Sequence, residues 1–189
     1  MDRVSDYAAR VVADPKTENA GNLHVLACRR HLKDLERQGT KEFPYIWDQK
    51  ASDRIIGYSE TLTVLEGAKP RPVKLLDCQA FDVGATFGWK KLDGNRRFRR
   101  RYKSVARQNG KTFENGIIGS YISNFSGYKY GKLFTVATKQ AQAKLAWDEI
   151  AKFIRADKDL NELFRIQDYK LMITALQTWC TIEALSKER

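Results

Sequence analysis

The sequence predicts an α/β protein: a parallel sheet flanked by helices, preceded by an N-terminal helical preface. Three observations carry this expectation. The first 70 residues hold segments with apolar side chains at helical spacing and little strand character. From Val73 onward, short apolar runs alternate with helical ones in the manner of βαβ units. The chain of 189 residues, 42% hydrophobic and 11% aromatic with 4 Pro, is long enough to bury a core and too apolar to stay disordered. Residues 1–70 are therefore read as the preface and 71–189 as the sheet-bearing domain.

Residues 22–38 place Val25, Cys28, Leu32 and Leu35 along one helical face, with Asn22 as a candidate cap and Gly39 as a stop. GTKEFPYIWD follows with turn chemistry. Ala51–Glu66 is again helical through Ile55, Ile56, Tyr58 and Leu62, and Gly67–Pro72 ends it. The sheet is expected to begin near Val73. Arg100–Ala106 reads as a strand with one exposed, basic end, and Lys132–Thr138 as a central strand beside or close to it. Between them, Thr112–Phe125 has Phe113, Ile117, Tyr121 and Phe125 on one helical side. Lys139–Ala156 is a helix that buries Ala143, Ala146, Trp147, Ile150 and Ile154. LMITALQTWCTIEALS fits either a helix or two strands flanking Gln177; its Ile, Thr and Trp content favours strands.

Charge narrows the partners. Lys and Arg number 34 against 23 Asp and Glu, a net charge of +11, which attracts polyanions and favours phosphate contacts through counterion release. Residues 96–103, RRFRRRYK, carry six of the positive charges. Such a run is either a solvated surface or a nucleic-acid contact, with Arg96, Arg97 and Arg99 the candidate contacts. No apolar run approaches the roughly 20 residues of a membrane-spanning helix, and MDRVSDYAAR has no apolar signal core, so a cytoplasmic protein is expected. Cys28, Cys78 and Cys180 are odd in number and widely spaced, which suits reduced thiols. His24 and His31, seven positions apart on one helix, are separated by about 10 Å of axial rise and cannot share a metal. With two histidines and no suitable cysteine pairing, hydrolytic triads and Cys-His dyads lack support.

The sharpest feature is Ser104–Thr112, SVARQNGKT, between an expected strand and an expected helix. A phosphate-binding loop needs backbone N–H groups at a helix N-terminus, a lysine for the β- and γ-phosphates, and a hydroxyl for Mg²⁺. Gly110, Lys111 and Thr112 supply that ending, while Val105 stands where the first glycine of the pattern belongs. The order strand, loop, helix matches a P-loop NTPase-like sheet.

Around this loop the chain resembles the large subunits of tailed-phage terminases. ARQNGKT is similar to their deviant Walker A motif, with Arg107 in place of a glycine-rich entry. LLDCQAFDVGATFGWKK resembles the segment whose glutamine, here Gln79, lies near the adenine, and which closes with Gly-Trp as at Gly88-Trp89. RRFRRRYKSV resembles the arginine-rich lead into the loop, and TVATKQAQAKLAWDEI the strand ending in Ala-Thr with its helix. CRRHLKDLERQ with FPYIWD is similar to the N-terminal helices of that family.

The resemblance implies an ATP-binding part of a DNA-packaging motor, with ATP and Mg²⁺ as cofactors. Its site would comprise Gln79, Arg107, Gln108, Asn109, Gly110, Lys111 and Thr112, the last also toward the metal. Double-stranded viral DNA, a small terminase subunit and a portal are the implied partners, and the cytoplasm of a bacterial host the implied place. The family's ATPase domain also carries a Walker B strand ending in Asp-Glu, and a nuclease domain follows it. Asp148-Glu149 has the right composition but falls inside the expected helix, and the chain ends at SKER before a Walker B strand is reached. This is the pattern of an N-terminal piece or a truncated prophage product. The alternative is an inactive, basic nucleic-acid-binding prophage remnant in which GKT is incidental.

Overall fold

The computed structural model describes residues 2–65 and 69–186. Gly67 and Ala68, in the expected stop Gly67–Pro72, and Lys187–Arg189 lie outside the described residues. The chain divides into two compact units, Met1–Tyr58 with Lys74–Tyr102, and Ser59–Val73 with Lys103–Arg189. The boundary expected at residue 70 falls within the short Ser59–Val73 segment.

The first unit begins with α1 (Arg3–Ala13), started by Asp2, whose carboxylate accepts the Val4 and Ser5 amides. It continues with α2 (Asn22–Arg37), β1 (Tyr45–Trp47) and α3 (Gln49–Thr61, to Tyr58 in this unit). For α2 the cap is Gly21 rather than Asn22, which is the first helical residue. α3 stops at Thr61, short of the expected Glu66, because the chain turns there into β2 (Thr63–Val64), which pairs with β3 (Arg71–Pro72) in the second unit.

The segment after Val73 does not open the sheet. It forms α4 (Asp77–Gly88) and then β4 (Trp89–Lys91), which pairs antiparallel with β1 through Trp47 and Trp89. Gly84 and Gly88 lie one helical turn apart on α4. A Cβ at Gly84 would stand 2.5 Å from Val4 Cγ2 and 2.7 Å from Ser52 Oγ, and one at Gly88 would run into the Trp47 ring. These glycines let α1, α3 and β1 approach the α4 backbone. Val4, Ala8, Cys28, Ile55, Val83 and Trp89 are buried in the resulting core.

The second unit layers α5 (Lys111–Phe125) on α6 (Gln140–Ala156), and α6 on a sheet. On α5, Gly116 and Gly119 face Phe153 and Ile150, so the two helices pack closely. The sheet comprises β5 (Lys132–Ala137), β6 (Phe164–Gln167), β7 (Met172–Ala175) and β8 (Thr181–Ser186) in the order β5-β8-β7-β6, and the short α7 (Lys158–Glu162) precedes β6. The α/β class holds. Only β5 and β8 run parallel, the other two pairs being antiparallel hairpins, so the sheet is mixed. The ambiguous C-terminal segment forms strands, as its β-branched residues favour.

Two strand expectations need correction. Arg100–Ala106 forms no strand: Arg101 is drawn to Asp82 of α4 and Lys103 to Glu114 of α5, so side-chain pairs hold this segment instead of a ladder. It therefore cannot neighbour β5. β5 itself is an edge strand of the described sheet rather than a central one, with Phe134 and Val136 exposed on its outer face.

Candidate nucleotide-binding site

Ser104–Thr112 is a turn-rich loop that feeds directly into α5. Gln108 and Gly110 both have positive φ, 63° and 69°. Glycine takes that conformation without strain, and Gly110 is the N-cap of α5. The helix therefore starts at Lys111, one residue earlier than its apolar spacing suggests. Gly110, Lys111 and Thr112 occupy the cap and first turn, not a mid-helix position. The first-turn N–H groups have no intrahelical acceptors, and the macrodipole makes this end electropositive.

Lys111 does not extend into solvent. Its Nζ donates to the carbonyls of Val105 at 2.6 Å and Ala106 at 2.9 Å, and so spans the loop it closes. Neutral carbonyls leave the ammonium charge uncompensated. Phosphate oxygens are stronger acceptors for it. Thr112, Arg107, Gln108 and Asn109 are exposed around this mouth.

A second interaction, missed in the sequence, braces the loop. Glu114 is buried in the first helical turn of α5, 1% exposed, and pairs with Lys103, which immediately precedes the loop. The pair ties both flanks of Ser104–Gly110 together. Its signal was present: Glu114, Ile117 and Tyr121 share one helical face, so an acid sits in an apolar stripe.

Gln79 belongs to the other compact unit. It lies in the first turn of α4, where its Oε1 accepts the Leu76 amide at 2.9 Å and caps the helix, leaving its side-chain N–H₂ for other acceptors. Asp148 and Glu149 lie within α6, paired along the helix with Lys144 and Lys152. They are helix-surface carboxylates and not the end of a strand.

The basic run divides by role. Arg97 is held inside the first unit: its guanidinium meets the buried Asp34 at 2.5 Å and lies over the rings of Phe43, Phe98 and Tyr45 at 4.6 to 4.9 Å. Its charge serves the fold here, because Asp34 is only 1% exposed. Arg96 covers the Phe87 ring at 5.0 Å, and Arg99 is exposed. Arg100 and Arg101 line a cavity of about 280 Å³ with Arg30 and Phe98.

His24 and His31 lie on α2, and His31 is buried against Ser5 and Trp89. Among the described residues no cluster of three or more His, Cys, Asp or Glu could hold a metal ion. None of Cys28, Cys78 and Cys180 takes part in a disulfide. No helix among the described residues is long and apolar enough to cross a membrane.

With the geometry in place, comparison with known proteins decides the family. The model of the terminase large subunit ATPase domain matches residues 77–186, more than half of the chain. The chain belongs to the terminase large subunits. The matched span of this terminase chain contains both Gln79 and the loop that opens α5. No curated protein matches. Among solved structures, the crystal structure of the HK97 bacteriophage large terminase is similar over 73% of the chain, with a TM-score of 0.63 and 21% identity. That likeness concerns the fold. The terminase chain described here spans 28% of the length of the HK97 protein.

Proposed function

We propose that this terminase chain is the ATP-binding part of a motor that drives viral DNA into procapsids. The observation that carries the reading is Lys111: an ammonium at the N-terminus of a long helix, donating to two loop carbonyls, beside an exposed hydroxyl. In this reading residues 71–189 form the N-terminal part of the ATPase domain, behind the preface 1–70. Lys111 exchanges its carbonyl partners for β- and γ-phosphate oxygens, and Gly110 lets the phosphates approach the backbone.

The donor set fits a nucleotide carrying Mg²⁺, which keeps most of its waters and takes one or two protein oxygens beside the phosphates. Thr112 offers the hydroxyl for it. When bound, the ion would offset negative charge on the phosphates. Gln108 and Asn109 line the mouth of the loop, and Arg107 is the group positioned to sense the terminal phosphate. Gln79 keeps an amide N–H₂ for the adenine edge while its oxygen caps α4. Double-stranded DNA, a small terminase subunit and a portal are the partners of such a motor, and a host cytoplasm its place.

The test is titration of the full chain with a fluorescent ATP analogue and Mg²⁺. Saturable binding lost in Lys111→Ala is expected. The alternative, an inactive nucleic-acid-binding prophage remnant, predicts no nucleotide binding to lose, and that outcome would replace the reading.

A further inference from the structure

At the end of α5 away from the loop, two turns lie side by side. α5 has 15 residues, so roughly 22 Å of helix separates them from Lys111. One turn, Ser126–Gly131, leads from α5 into β5; the other, Leu176–Cys180, leads from β7 into β8. Because β5 and β8 are parallel neighbours, both turns meet at the N-terminal ends of these two strands.

They are bonded together rather than merely adjacent. The Tyr130 amide donates to the Thr178 carbonyl at 2.8 Å, and the Thr181 amide to the Gly131 carbonyl at 2.9 Å. The Gly131 amide also reaches Cys180 Sγ at 3.3 Å, and Thr178 Oγ1 donates to the Ser123 carbonyl of α5 at 2.6 Å.

This network holds three aromatic side chains in the open. Tyr128 is 45% exposed, Tyr130 74% and Trp179 56%. Tyr130 and Trp179 also both adopt the left-handed backbone conformation, with φ of 56° and 59°. Bulky residues avoid that conformation, and strain of this kind is retained where the surrounding structure fixes a side chain for use. Lys129 and Lys132 are exposed beside them, and neither 125–132 nor 175–182 contains an acid.

We propose that these paired turns form a stacking platform for the unpaired bases of a single-stranded nucleic acid. Exposed aromatic faces interleaved with lysines match how such strands are held: rings stack on bases while ammonium groups follow the phosphates. A protein partner suits the turns less well, because lysine is depleted from the cores of protein interfaces. The platform shares no residue with the nucleotide loop and stands whether or not that loop binds ATP.

The chain carries its own reporter. Of its four tryptophans, Trp89 and Trp147 are buried and Trp47 is half-buried, so Trp179 is the most exposed to a stacking base. Titrating the full chain with an oligothymidylate of roughly 15 nucleotides, a length that covers typical single-strand sites, should quench tryptophan fluorescence. Trp179→Ala and Tyr130→Ala should each weaken binding by about ten-fold, as loss of one stacked base does. Trp179→Phe should keep most of the affinity, and a blunt duplex of the same length should bind more weakly than the single strand. If either alanine variant loses its cooperative melt, the wild-type quench and the duplex comparison still decide. Affinity unchanged in the folded alanine variants, absence of quenching, or equal binding of the duplex would overturn the proposal.

Discussion

Trp89 donates its indole N–H to Nδ1 of His31 at 3.0 Å, while the other ring nitrogen of His31 faces Ser5 Oγ at 3.1 Å. An indole N–H can only donate, so Nδ1 is the unprotonated nitrogen and the imidazole is neutral. Burial lowers the His31 pKa to about 4, with Arg30 and Arg97 acting the same way and Asp2 and Asp34 opposing it. In the unfolded chain the value is 6.5. The unfolded state therefore takes up the proton first. The contribution of neutral His31 is complete above pH 6.5 and is lost as the pH falls toward 4. Melting temperature should drop through that window. A His31→Asn variant, less stable at pH 7, should show a shallower drop between pH 6.5 and 5; equal slopes in the two proteins would refute the assignment.

Arg97→Ala should destabilise the protein by about 3 kcal/mol, since it takes one of two cations from a buried carboxylate and removes a guanidinium that lies over Phe98. Arg99→Ala, at an exposed position, should change stability by less than about 0.5 kcal/mol. Urea unfolding separates the two. If the basic run grips DNA, Arg99→Ala should also flatten the salt dependence of binding, because each lost phosphate contact lowers the slope.

Lys103→Met should cost about 3 kcal/mol by leaving the Glu114 carboxylate buried without its lysine, whereas the double variant Lys103→Met/Glu114→Gln should regain more than half of that loss. The same pair of variants reports on the loop. Nucleotide affinity should stay low in the double variant, whose flanks are no longer tied. Recovery of stability without recovery of affinity is the expected pattern, and parallel recovery of both would show that the pair acts on folding alone.

Two glycines should respond in opposite directions. Gly84→Ala puts a methyl 2.5 Å from Val4 Cγ2 and should destabilise by about 1–3 kcal/mol. At Gly57, exposed on α3, an added Cβ meets nothing within 4 Å, so Gly57→Ala should stabilise by up to about 1 kcal/mol. Thermal melts of both variants check the packing of α4 against α1.

The isolated chain should bind ATP weakly and release phosphate close to the background rate. Hydrolysis needs, besides the loop, carboxylates that place the metal and the attacking water, and Asp148 and Glu149 lie within α6 rather than at the end of a strand. Asp148→Asn and Glu149→Gln should leave nucleotide binding unchanged, because both carboxylates are paired along α6. Robust turnover abolished by either substitution would show that the α6 carboxylates act at the phosphates.

Where the sequence was legible, the information was local. The face of α6, the start of α5 near Gly110, and the strands on either side of Gln177 each follow from spacing or composition within a few turns of chain, whereas on α2 Val25 and Cys28 are buried as expected but His31 and Asp34, not Leu32 and Leu35, complete the buried face. α1 and α4 were harder to read. In α4 two glycines dilute the helical signal because their positions serve packing against Val4 and Trp47. The failed strand Arg100–Ala106 is apolar enough at one end to pair, but Arg101 and Lys103 found carboxylates instead.

The sequence by itself determined the class of the protein, its basic character, and the Gly110-Lys111-Thr112 ending at the head of a helix. Periodicity, charge and left-handed glycine are properties of a residue and its near neighbours. Only the tertiary structure decided that Arg97 serves the fold and that β5 is an edge strand of the described sheet. It also decided that Lys103 reaches Glu114 across the loop, and that the turn holding Tyr130 is bonded through its amide to Thr178 of the turn that holds Trp179. Each of these depends on a partner far away in sequence, and the strength of a charge or a ring is set by what it meets after the chain has closed around it.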